Sequence, residues 1–178
     1  MDTLNLLKPI IGEEKTLVIT CLECCYDLEQ NGHGQVFRYT TLGNMINPRD
    51  THEQDNLRGF VDFKKCTRII VAGHHDCKAL QYIRCDLKSD SPIANLQDNL
   101  RTLYGNNHAS MLMSPLKETL VIELNVIEQC KCLLSYGFIR ERFERGELSI
   151  VGIILKADGD VKTIFKNGIG YNDPISLN

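Results

Sequence analysis

The stretch VAGHHDCKAL, residues 71–80, overlaps the apolar run TRIIVAG at 67–73, and its reading decides the fold. TRIIVAG is rich in β-branched residues, shows no polar alternation and ends in glycine. It predicts a strand buried on both faces, the signature of a parallel sheet covered by helices. Two histidines, an aspartate and a cysteine follow at 74–77. The next segment, CKALQYIRC at 77–85, has helical character. His74 and Cys77 therefore stand about one helical turn apart where a buried strand hands over to a helix.

Working outward, TLVITC at 16–21 is a second run of the same kind, and QVFRYT at 35–40, after the turn-rich NGHG, is a weaker strand. NPRDTHEQDNLRGFVDFKK at 47–65 predicts mostly helix, capped by Asp50 or Thr51. SPIANLQDNLRTLYG at 91–105 predicts another, with Ser91 as N-cap and Pro92 in the first turn. From Ser114 a longer helix is expected. Leu116, Leu120, Leu124, Ile127 and Leu134 fall near helical spacing, and Gly137 is placed as its stop. A short helical piece, FIRERFERG, precedes the strand ELSIVGIIL at 147–155. ADGD at 157–160 reads as a tight turn, and VKTIF at 161–165 as an antiparallel edge strand. Strands separated by helices imply an α/β fold: a mainly parallel sheet flanked by helices, with an antiparallel edge strand. A single domain over 1–178 is expected, with a short N-terminal arm at 1–15 and an irregular tail at 166–178.

Composition narrows the function classes. A formal net charge of -3 argues against a nucleic-acid footprint. No apolar run approaches a membrane span, and MDTLNLLKPI lacks the features of a secretion signal, so a cytoplasmic protein is expected. Eight cysteines are many for such a chain. Cys66, Cys85, Cys130 and Cys132 sit in or beside apolar runs and read as small buried hydrophobes.

Sites in parallel α/β sheets form beyond the carboxyl ends of the strands. Cys21 closes the first buried strand, and His74 and Cys77 follow the third. Two thiolates and a neutral imidazole suit zinc, and three protein ligands leave a fourth position open, the arrangement of a catalytic site. The pattern admits a second reading, in which His74 is a loop histidine bonded to backbone and Cys77 a buried thiol at a helix start.

Motifs in a fixed order now carry a resemblance. The chain reads CLECC at 21–25, TTLGN at 40–44, GHHDCK at 73–78, NVIEQCKCL at 125–133 and GELSIVGIILKADGDVKTI at 146–164. This series resembles the β-class carbonic anhydrases from about Thr16 to Ile164. That family carries Cys-x-Asp-x-Arg, Arg-Asn-x-x-Asn, Gly-His-x-x-Cys-Gly, an Asn-Val-x-x-Gln helix and a Gly-x-Leu-x-Val-x-Gly strand. The resemblance implies a β-carbonic-anhydrase-like fold and Zn2+ held by Cys21, His74 and Cys77. It implies reversible hydration of carbon dioxide to bicarbonate by zinc-bound hydroxide, with Glu23 orienting the hydroxide; a histidine would shuttle the proton, and His75 is the nearest candidate in sequence. It also implies a homodimer or higher homo-oligomer. The chain departs from the pattern where the family's Asp and Arg fall on Glu23 and Cys25, its second-strand Arg on Thr40 and its final Gly on Lys78. Activity is expected to be weak on that account, because Cys25 cannot make the forked bond of arginine to a carboxylate. The resemblance equally accommodates a hydrolase of carbon disulfide or carbonyl sulfide.

Two other readings compete. Cys24 could complete a closed Cys3His site with Cys21, His74 and Cys77, giving a catalytically inactive zinc protein with a structural or regulatory role. Alternatively, Cys21 and Cys24 could form a Cys-x-x-Cys redox pair, which would leave His74 and Cys77 without a part.

Overall fold

The computed structural model describes residues 10–24, 36–81, 115–156 and 159–170. In chain order these form β1 (Thr16–Cys21), β2 (Val36–Thr41), a single 3-10 turn (Leu42–Asn44) and α1 (Thr51–Arg58), which a π turn (Gly59–Phe63) extends. Then come β3 (Arg68–His74), α2 (Lys78–Gln81), α3 (Pro115–Leu133), α4 (Gly137–Glu144), β4 (Ser149–Leu155), β5 (Val161–Lys166) and the two-residue β6 (Ile169–Gly170). The expected helix at 91–105 lies outside the described residues.

The strands form one sheet in the order β2-β1-β3-β4-β5-β6. The pairs β2–β1, β1–β3 and β3–β4 are parallel, and β4–β5 and β5–β6 are antiparallel. The α/β expectation is met, with the central strands β1, β3 and β4 nearly all buried, as their unbroken apolar runs require. Asp50 is the N-cap of α1, its carboxylate accepting the His52 and Glu53 amides at 2.9 and 3.3 Å. No helix among the described residues is long and apolar enough to cross a membrane.

Two local expectations need correcting. Gly137 does not stop the long helix; α3 ends at Leu133, and Gly137 opens α4. VKTIF is not the last strand, because Ile169 and Gly170 pair with Lys166 and Phe165 in the segment expected to be irregular. Along α3 the residues that face the sheet are set apart from the leucines at 120 and 124. Leu120 and Leu124 are half-buried, whereas Ile122, Val126 and Cys130, at i, i+4 and i+8, lie almost wholly buried over β3 and β4. Two glycines dictate that choice. A Cβ at Gly73 would lie 2.6 Å from Val126 Cγ2, and one at Gly152 would lie 2.9 Å from Val126 Cγ1 and 3.0 Å from Cys130 Sγ. The glycines let the helix axis approach closely, and branched or small side chains fill the reduced gap.

Candidate metal centre

Parallel pairing brings the carboxyl ends of β1 and β3 side by side, with Thr20 opposite Ala72. Cys21 and His74 are the last residues of these strands, so their side chains meet beyond the sheet. A turn at 75–76 follows, with Asp76 in the left-handed region at φ 56°, and returns the chain so that Cys77 faces Cys21. The two sulfurs are 3.7 Å apart. Glu23 comes from the turn after β1, which a Cys24 N–H···O=C Cys21 bond of 3.0 Å closes. Donor atoms of Cys21, Glu23, His74 and Cys77 all lie within 4.8 Å of one another.

The electrostatics of the protein atoms suit a cation. The Cys21 thiol is pulled down to about 4, first by the Cys77 thiol that donates to it. His74 and the amides of Glu23 and Gly43 act in the same direction, and burial opposes them. Cys77 is pushed far up because its proton is committed to the Cys21 sulfur in a buried place. The two sulfurs thus hold one proton tightly between them, and a metal ion taking both as thiolates would release it. His74 is raised by the Cys21 sulfur beside it, with burial working the other way.

The decisive detail is the histidine. His74 Nδ1 lies 2.8 Å from the His75 carbonyl, which can only accept, so Nδ1 carries the hydrogen. In the neutral ring Nε2 then presents its lone pair on the side of the Cys21 sulfur, buried and with no hydrogen bond of ordinary geometry. A buried ring nitrogen so placed suits a metal, since ligating histidines generally donate their other N–H to a carbonyl or carboxylate. Sulfur, sulfur and imidazole nitrogen together fit zinc.

Several solved structures share the fold. The β-carbonic anhydrase CafD of Aspergillus fumigatus superposes with a TM-score of 0.71 at 24% identity, covering 85% of this chain and 90% of that one. A structure from a study of two tetrameric β-carbonic anhydrases of Sordaria macrospora gives 0.70 at 21% identity, covering 85% and 81%. At such identities the likeness is one of fold. A carbonic anhydrase of Synechococcus elongatus is 29% identical over 163 residues, 84% of this chain and 60% of the relative's length. The family model of carbonic anhydrase matches residues 16–161. The chain belongs to the β-class carbonic anhydrase family.

Against the β-carbonic anhydrase pattern, the structure shows what surrounds the altered positions. Glu23, standing where the family has Asp, accepts the Ala79 amide at 3.1 Å through Oε2. Its carboxylate is thereby tied to the start of α2. Cys25, at the family's Arg, lies outside the described residues. Arg38 holds the same turn from β2: its Nε donates to Thr20 Oγ1 at 3.2 Å and its Nη2 to the Cys24 carbonyl at 3.0 Å. A guanidinium therefore grips the backbone of the turn that carries Glu23. Cys24 is buried but is not one of the four clustered donors. His75, half-buried at the turn, is not among them either.

The sequence reading missed the donors that carry no side-chain signature. The Gly43 and Glu23 amides reach Cys21 Sγ at 3.3 and 3.5 Å, and the Ala79 amide reaches Glu23. The signal available for Gly43 was the LGN turn after β2, where Gly43 and Asn44 take φ 63° and 60°.

Proposed function

We propose that this protein is a zinc-dependent carbonic anhydrase that interconverts carbon dioxide and bicarbonate, with Cys21, His74 and Cys77 as the metal ligands. Membership of the family supports the reaction. The observation that carries the ligand assignment is the buried Nε2 of His74, which makes no hydrogen bond of ordinary geometry in a residue whose donor atom lies within 4.8 Å of those of Cys21 and Cys77. Bound zinc would supply Lewis acidity, which lets water act as a nucleophile near neutral pH. Two sulfur ligands lessen that effect by neutralising the ion's charge, so the surrounding groups matter.

Glu23 is the group proposed to orient the attacking water, accepting its hydrogen bond. The Ala79 amide restrains this carboxylate, limiting the rotation that loss of the family's arginine would otherwise permit. His75, half-exposed at the turn after β3, is the proposed carrier of the released proton to solvent. The proposal includes a homodimer or larger assembly in the cytoplasm. Leu22 and Leu42, 62% and 37% exposed beside the site, give a second copy apolar surface to cover.

The clustering of Glu23 with the three other donors favours a second reading. Its carboxylate could take the fourth ligand position and close it, leaving a zinc protein with little activity. X-ray absorption on zinc-loaded protein separates the two by counting sulfur, nitrogen and oxygen ligands with and without Glu23→Ala. Under the first reading that variant keeps its spectrum and loses most of its stopped-flow carbon dioxide hydration. Under the second reading the first-shell spectrum changes. Failure of the parent protein to retain any zinc under reducing conditions would sink both.

A further inference from the structure

Two side-chain amides lie deep in the protein on one face of α3. Asn125 is 0% exposed and Gln129 5% exposed, and their i, i+4 spacing sets them one above the other. Burying two carboxamides costs stability unless their bonds are made. Here a single loop answers both. Asn125 Nδ2 donates to the Gly43 carbonyl at 2.7 Å, and the Ile46 amide donates to Gln129 Oε1 at 2.8 Å. Gln129 Nε2 donates to Asn125 Oδ1 at 3.1 Å, locking the pair. The loop has a third anchor in Asn44, whose Nδ2 donates to the Ala72 carbonyl of β3 at 2.9 Å.

The loop is gripped on both sides of a residue in an unusual conformation. Gly43 sits at φ +63°, which glycine adopts without a side-chain penalty. In that conformation its N–H points at Cys21 Sγ, 3.3 Å away, while its C=O points at Asn125. A hydrogen bond to a thiolate draws electron density from the sulfur and orients its lone pairs. Groups that orient a metal ligand in this way commonly change metal affinity about 10–100-fold when removed.

We infer that Asn125 and Gln129 are positioning residues for the metal centre: they hold the 42–46 loop so that the Gly43 amide sets the donor strength of the Cys21 sulfur. The inference rests on the proposed metal ligands. It assigns a tuning role to a helix that contributes none of the clustered donors.

The test uses the full chain loaded with Co2+, whose sulfur-to-metal charge-transfer absorption reports the energy of the sulfur lone pairs. Loss of the amide bond raises those lone pairs. Asn125→Leu and Gln129→Met are therefore expected to move the band to longer wavelength and to weaken Co2+ binding roughly tenfold. Cys130→Ala, on the same helix and without a bond to the loop, is expected to leave the band in place. An unmoved band in folded Asn125→Leu and Gln129→Met, or an equal shift in Cys130→Ala, overturns the inference. Should the polar-to-apolar variants fail to fold, the parent chain loaded with NMR-active cadmium decides the link. Scalar coupling between the Gly43 amide proton and the metal, through Cys21 Sγ, is expected, and its absence overturns the inference. A parent chain that takes up neither ion overturns the metal assignment along with it, whereas uptake with no band shift overturns the tuning role alone.

Discussion

Cys21 and Cys130 are equally inaccessible, both at 0% exposure, yet their thiols are pushed in opposite directions. Cys130 lies among hydrocarbon between α3 and β4, and burial alone drives its pKa far up. Cys66 is raised to about 11 for the same leading reason. Cys21 suffers burial too, but a thiol, an imidazole and two backbone amides surround its sulfur and bring it down to about 4. Depth in the protein therefore says little about what a thiol can do. The donors around it decide whether it is a filler or a ligand.

The largest test of that contrast removes a sulfur at the polar end. Cys77→Ser should take zinc content, measured by mass spectrometry of purified reduced protein, from about one ion per chain to near none. Full occupancy in that variant would erase the distinction between the two classes of cysteine. A change at the apolar end should act on stability instead. In Gly73→Ala the new methyl meets the Val126 side chain at 2.6 Å, and a β-branched residue has no flexible tip to withdraw. A loss of about 1–3 kcal/mol in urea unfolding is expected. An unchanged midpoint would mean that α3 is not held as closely as its contacts indicate.

Cys130→Ser sharpens the comparison further, because the same exchange differs in meaning at the two places. A hydroxyl in the hydrocarbon around Cys130 should cost about 1–3 kcal/mol, and Cys130→Ala should cost less than Cys130→Ser. The reverse ranking, read from unfolding midpoints, would show a polar partner near that sulfur.

The smallest effect belongs to Glu53, whose buried carboxyl is raised from its ordinary 4.5, chiefly by desolvation. The native state then binds the proton more tightly than the unfolded chain does. That contribution to stability is whole below pH 4.5 and is lost as pH rises through the folded value. Glu53→Gln keeps a carbonyl oxygen for the Asn47 amide, which now bonds Oε2 at 2.9 Å. It should flatten the stability profile above pH 4.5 while changing stability near neutrality by no more than about 1 kcal/mol. A variant that retains the wild-type slope would assign the pH dependence to another group.

Much of this was legible in the residues. TLVITC and TRIIVAG stood out as strands because side chains buried on both faces leave no polar alternation. Strands of that kind, joined through helices, place Cys21 and His74 at neighbouring tips. Leucine spacing marked α3 as a helix without saying which of its faces meets the sheet. Gly73 and Gly152, far apart in sequence, made the choice in favour of Ile122, Val126 and Cys130.

The sequence by itself determined the strand runs, the Asp50 cap of α1 and a set of sulfur and imidazole side chains at spacings that suit a metal. These are local properties, written in residue type and period. Only the tertiary structure decided what those side chains face. The Gly43 amide on Cys21, the Ala79 amide on Glu23 and the carbonyl that fixes His74 are backbone groups, identical at nearly every position in the chain. Their roles come from where the backbone is bent and packed, and for Gly43 that is settled by a helix residue 82 positions away.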